Sequence, residues 1–162
     1  MSLKSTLLAA SAALSLAMPA FADVQIMVKD AYARSSGATA VSGAAFMEIM
    51  NMGDENDQLV DVRSDIAKRV ELHTHIETDQ GVMQMRRVEG GFAIPAQGSH
   101  RLQRGGDHVM FMGLTRPMED GTSFDLTLIF EKAGEVTIEV PVDLQRKPGE
   151  GAMQMDMPMD GS

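Results

Sequence analysis

The sequence predicts an all-β domain, an antiparallel sandwich or small barrel, on three observations. Short runs of alternating apolar and polar residues recur along the chain, Gly, Pro and Asp punctuate them at close intervals, and no segment carries an amphipathic helical period. The 162 residues suffice for one domain and not comfortably for two.

Taken in order, the first 22 residues read as an export leader rather than as structure. Lys4 is followed by the apolar run Leu7 to Leu16 and by Ala20-Phe-Ala22, the small-x-small pattern of a signal peptidase site. Cleavage is expected after Ala22. The apolar run is too short to span a membrane, and no second one follows, so no stable membrane insertion is expected. Val24 to Arg34 is the first strand, and Gly43 to Asn51 the second. A polar turn region through Asp57 leads to a short strand, Gln58 to Arg63, and then to Arg69 to Ile76. Glu77-Thr-Asp-Gln-Gly81 joins that strand to Val82–Val88, a predicted hairpin. Phe92–Ile94 lies between the breaks Gly90-Gly91 and Pro95–Gly98. Arg104-Gly-Gly-Asp107 opens the strand that begins at His108. Ser123–Glu131 and Glu135 to Val142 close the set, which amounts to eight to ten strands. The domain is read as residues 23–145. Residues 146–162 have no pattern that could bury a core and are expected to be a disordered, methionine-rich tail.

Composition narrows the function. The formal net charge is -9, and the basic residues are scattered without aromatic platforms, which argues against nucleic acid as a partner. There is no cysteine. That excludes disulfide staples, thiol redox chemistry, cysteine nucleophiles and a blue-copper centre. No nucleophile elbow, phosphate loop or catalytic carboxylate pair stands out, so an enzyme is not expected. Fifteen methionines against six phenylalanines and one tyrosine require an explanation.

One comes from Val70 to Leu114. In His108-Val-Met-Phe-Met112, strand alternation puts His108, Met110 and Met112 on one side, and Val109 and Phe111 on the other. In Val70 to Ile76, the residues Glu71, His73 and His75 oppose Val70, Leu72 and Ile76. Met83 and Met85 share a side in the next strand. Each segment alone is as well explained by surface histidines and packed methionines. Together they offer imidazole and thioether, the donor set that suits Cu(I); zinc favours cysteine, histidine and carboxylate instead. Met27, Met47, Met50, Met52 and Met118 are left as packing. Met153, Met155, Met157 and Met159 alternate in a segment with no core to join and are read as a second, Cu(I)-collecting site.

Glu71-Leu-His-Thr-His75, Gly81-Val-Met-Gln-Met-Arg86, Ile94-Pro-Ala-Gln-Gly98, Gly105 to Leu114, Thr127 to Gly134 and Glu139 to Val142 resemble the PCuAC family of periplasmic copper chaperones. The resemblance implies a cupredoxin-like Greek-key β-sandwich in the periplasm. It also implies Cu(I) as cargo, and a copper-accepting cytochrome oxidase subunit or assembly factor as partner. Carried over block by block, the family's ligands fall on His73, Met85, His108 and Met110. The family pattern places ten residues between its first histidine and methionine and twenty-one before His-x-Met. Here the gaps are eleven and twenty-two. Loops at Glu77–Gly81 and Gly90-Gly91 absorb such insertions, while a slip of register would substitute His75 or Met83, with Met112 a further alternative. A copper buffer without an acceptor and a sandwich module with incidental histidines are the competing readings.

Overall fold

In the computed structural model, residues 25–148 are described. The expected leader cleavage and the tail methionines lie outside them. Ten strands form, with no helix among the described residues: β1 (Ile26–Ser35), β2 (Ser42–Asn51), β3 (Asp57–Arg63), β4 (Ala67–Glu77), β5 (Met83–Arg87), β6 (Phe92–Ile94), β7 (Gly98–Leu102), β8 (His108–Leu114), β9 (Ser123–Phe130) and β10 (Gly134–Pro141). One sheet runs β1-β2-β8-β4-β5 with β7 added beside β2; the other runs β10-β9-β3-β6. Every ladder between named strands is antiparallel. The chain changes sheets between β2 and β3, β3 and β4, β5 and β6, β6 and β7, and β8 and β9, as sandwiches with long-range connections do.

Alternation drives this arrangement. In β9, Phe124, Leu126, Leu128 and Phe130 are buried, and the residues between them are not. On the opposing sheet, Ala45, Met47 and Ile49 of β2, Leu72 of β4, and Val109 and Phe111 of β8 face them across the core. Phe111 meets Phe124 edge to face, with ring centroids 5.4 Å apart. The predicted β4–β5 hairpin forms, its turn closed by Gly81 at φ 74° and by a Thr78 N–H bond to the Val82 carbonyl.

Three features differ from expectation. The sequence reading has no strand over Gly98–Leu102. This segment joins the sheet by pairing with Met47–Asn51 of β2, and of its own residues only Leu102 reaches the core. Met47 and Met118 are buried as expected, but Met27 and Met52 are exposed. Met27 alternates with Ile26 and Val28, which take the core side of β1, and Met52 follows β2 into a turn. The chain also stays attached through Arg146, whose guanidinium lies over the Tyr32 ring, 4.3 Å from its centroid.

Candidate metal centre

Directly paired residues on neighbouring strands share a face, so the ladders fix which donors meet. His73 is opposite His108, and Glu71 is opposite Met110, across β4 and β8. His75 is opposite Met85, and Glu77 opposite Met83, across β4 and β5. Because Leu72, Val109 and Phe111 occupy the core side, this whole set lies on the outer face of the larger sheet.

His108 is nevertheless only 2% exposed. Phe46 covers it from β2 at 6.2 Å between ring centroids, and His73 and His75 flank it at 6.0 and 5.0 Å. The strand meets this cover because Gly105-Gly106 turns back over its start. The Gly106 carbonyl accepts the Nδ1–H of His108 at 2.9 Å and that of His75 at 3.2 Å. A carbonyl can only accept, so both rings donate from Nδ1 and, when neutral, keep the Nε2 lone pair free. Burial pushes the His108 pKa below the ordinary 6.5, the Gly106 bond partly opposes this, and the neighbouring His75 and His73 reinforce it.

His73 is held the other way round. Its Nε2–H donates to Glu71 Oε2 at 2.9 Å. That bond is the main cause holding the Glu71 carboxyl below its ordinary 4.5, while burial opposes it and Arg87, at 3.6 Å, assists. His73 Nδ1 is buried and has no partner, alone in this respect among the side-chain nitrogens and oxygens of the described residues. Buried polar atoms are rarely left so. A carboxylate that fixes one imidazole nitrogen while the other stays free is the usual outer support of a metal-ligating histidine.

A cavity of about 400 Å³ opens beside this group, lined by His75, Met85, His108 and Met110, with Phe46 and Arg104 in its wall. Met85 is 53% exposed at its mouth. Met83, opposite Glu77, and Met112, opposite Arg69, do not line it. A larger groove of about 940 Å³ lies between β3, β4 and β9 and is walled mainly by charged residues, with none of these histidines or methionines. The fourth histidine, His100, is apart: it stacks on Phe92 at 4.9 Å and bonds Asp107 at 2.9 Å. Among the described residues, no three histidine or carboxylate groups converge as a metal-holding cluster. A donor set assembles here only when thioether sulfur is counted, which favours a soft, low-charge cation. Sequence reasoning missed the roles of Glu71 and the Gly106 carbonyl. The signals were present: Glu71 shares the parity of His73, and Gly105-Gly106 precedes the His108 strand.

Comparison with known proteins gives concordant matches. The family described as "Putative lipoprotein LpqE-like" matches residues 26–142. "Putative lipoprotein Lxx21020" of Leifsonia xyli subsp. xyli is 32% identical over 117 residues, 72% of this chain and 69% of that protein. The solution structure of CuI-DR1885 from Deinococcus radiodurans superposes with a TM-score of 0.60 at 29% identity, covering 82% of this chain and 84% of that one. The copper-bound PCuAC domain from PmoF2 gives a TM-score of 0.61 at 24% identity, over 75% of this chain and 95% of that one, a likeness of fold.

Proposed function

The chain belongs to the LpqE-like family and has the PCuAC fold, and on that premise we propose that it is an exported, non-enzymatic carrier of Cu(I). Its cargo site is His108 through Nε2, Met110, Met85, and His73 through Nδ1. The observation that carries this reading is the buried, unpartnered Nδ1 of His73, oriented by Glu71 beside a second imidazole with a free nitrogen. CuI-DR1885, at 29% identity, supports copper as the ion. The lipoprotein description of the Leifsonia relative supports export.

The chemistry suits transport. Two neutral imidazoles and two thioethers hold Cu(I) well and Cu(II) poorly. His108 anchors the ion from below, while Met85, more than half exposed, is the ligand an incoming acceptor displaces first. We assign the acceptor to the copper centres of respiratory cytochrome oxidase or a factor that assembles them. A purified apo acceptor domain of that type should take Cu(I) from the loaded chain; a buffer would not release it.

His75 is a second candidate for the fourth position, because it lines the cavity with the other three donors and its ring is the nearer to His108. Cu(I) competition against a chelator under reducing conditions separates the two. The pair His108→Ala, Met110→Ala should abolish tight binding, and His73→Ala should weaken it at least ~10-fold, as loss of a ligand does. His75→Ala should have the smaller effect. The reverse order would move the ligand to His75. If no variant changed Cu(I) competition, the carrier reading would fall.

A further inference from the structure

The wall of the metal cavity carries positive charge, in a chain whose formal net charge is -9. Among the described residues, its lining contains the guanidiniums of Arg34 and Arg104 and no carboxylate. The ladders put Arg34 there: on β1 it is opposite Ala44 of β2, and Ala44 is opposite Met110 of β8. Only the small alanine stands between the arginine and the thioether. Arg104 comes from the loop that turns through Gly105-Gly106 into His108. Each arginine donates one N–H to the Arg146 carbonyl, at 3.3 and 3.4 Å, and neither has a carboxylate partner among the described residues.

The carboxylates beside the donors are already engaged. Glu71 bonds His73 and is flanked by Arg87 at 3.6 Å and Arg69 at 3.8 Å. Asp107, next to His108 in the chain, pairs with His100 at 2.9 Å. A general cation site is built the other way, with free carboxylates that favour higher charge. Donor chemistry alone does not exclude divalent ions here. Thioethers favour Cu(I), but imidazole also suits zinc and other divalent metals, and His75 and His108 both keep Nε2 free. A charged wall supplies a second criterion. Coulomb energy is proportional to the charge of the ion, so a guanidinium that lowers Cu(I) affinity by some factor lowers that of a divalent ion at the same place by about its square.

We propose that Arg34 and Arg104 are specificity residues, which bias the pocket by charge against divalent cations and leave Cu(I) as the ion it holds. This rests on the copper reading above for the ion that is kept; the exclusion of divalent ions is a separate property of the wall. The two guanidiniums weaken Cu(I) binding as well, by the smaller factor. A carrier tolerates that cost, because it has to release its cargo.

Zn(II) is the divalent probe, since it has a filled d shell and no redox chemistry. The parent chain and the double variant Arg34→Gln, Arg104→Gln are each titrated against a chromophoric chelator, with Zn(II) and, under reducing conditions, with Cu(I). Adding His108→Ala to each assigns the bound equivalent to the pocket. The double variant should bind both ions more tightly, and Zn(II) disproportionately: a rise of about fivefold for Cu(I) goes with about twenty-fivefold for Zn(II). Arg34→Lys, Arg104→Lys retains the charge and should retain the parent's discrimination. An equal change for the two ions, an unchanged Zn(II) affinity, or a lysine variant that behaves like the glutamine one overturns the proposal. Arg104→Gln alone alters an exposed loop residue with one carbonyl bond. It should show part of the same bias, and it decides the matter if the double variant does not fold. If no chain takes up Cu(I), the copper reading fails; a gain of Zn(II) in the glutamine variant then supports the filter, and no gain overturns it.

Discussion

Asp57 and His73 are both polar groups that the fold shelters from water, and they are treated in opposite ways. Asp57, at 4% exposure where β3 begins, accepts backbone N–H bonds from Gln58 at 2.7 Å, Lys132 at 2.9 Å and Ala133 at 2.9 Å. It ties β3 to the β9–β10 turn. Asn51 nearby is equally saturated, by the Glu55 and Ile94 carbonyls and the Gly53 N–H. Around β4 and β8, the pattern stops short. His73 Nδ1 has no partner, and His108 uses one of its two nitrogens on Gly106. Burial of a polar atom costs free energy unless it is bonded, so saturation marks a staple, while the deficit at His73 is what the proposed ligand would relieve.

The sharpest way to separate structure from function is along β8 itself, where adjacent residues face opposite ways. Phe111→Ala empties the core side and should cost about 3–5 kcal/mol in chemical denaturation. Met110→Ala, one residue away on a half-open face, should cost within about 1 kcal/mol yet weaken Cu(I) binding at least ~10-fold. Comparable stability losses for the two would contradict the division. Next in size, Asp57→Ala leaves three backbone donors without their acceptor and should destabilise by about 1–3 kcal/mol with copper affinity unchanged. Glu71→Ala reverses that profile. It frees the His73 ring and should lower Cu(I) affinity by about 10–100-fold with little change in urea midpoint.

The smallest effect is on pH. Burial holds the His108 pKa below 6.5, so as pH falls the unfolded chain takes up that proton before the native one does. The His108 contribution to the metal-free fold should therefore be fully present at neutral pH and be lost progressively as pH falls through about 6.5. The Glu71 carboxylate acts in the same direction at lower pH: its stabilisation is present above 4.5 and lost as pH drops through its lowered native value. Urea midpoints measured between pH 7.5 and 5.5 should decline on acidification, and His108→Gln should flatten the decline. A rise on acidification would contradict the sign.

Much of this was legible in the residues, and what was not has physical reasons. Strand parity put Glu71, His73 and His75 on one side of their strand and His108 and Met110 on one side of theirs, because alternation is a local property of extended chain; the β4–β8 ladder makes these one face. Parity could not tell that His108 is buried on that face, since the cover comes from Phe46 and Gly106 through tertiary packing. β7 escaped because Gly-Ser-His-Arg-Leu carries no alternating apolar signal; its partner β2 supplies the template. The inserted residues between His73 and Met85 left the register of the donors open. The hairpin settles which side chains stand opposite: His75 meets Met85, and Met83 lies one pair further toward the turn. Met27 and Met52 were left as packing by default, and both are exposed; for Met27 the alternation with Ile26 and Val28 already pointed outward.

The central claim is that the unsaturated nitrogens on the outer face, with two thioethers, are a Cu(I) site. X-ray absorption at the copper edge tests it most directly, on the Cu(I)-loaded chain with its four tail methionines replaced by serine. Mixed coordination by imidazole nitrogen and thioether sulfur, with the nitrogen contribution halved in His73→Ala, is the predicted result. Coordination by sulfur alone, or a spectrum that His73→Ala leaves unchanged, would contradict it.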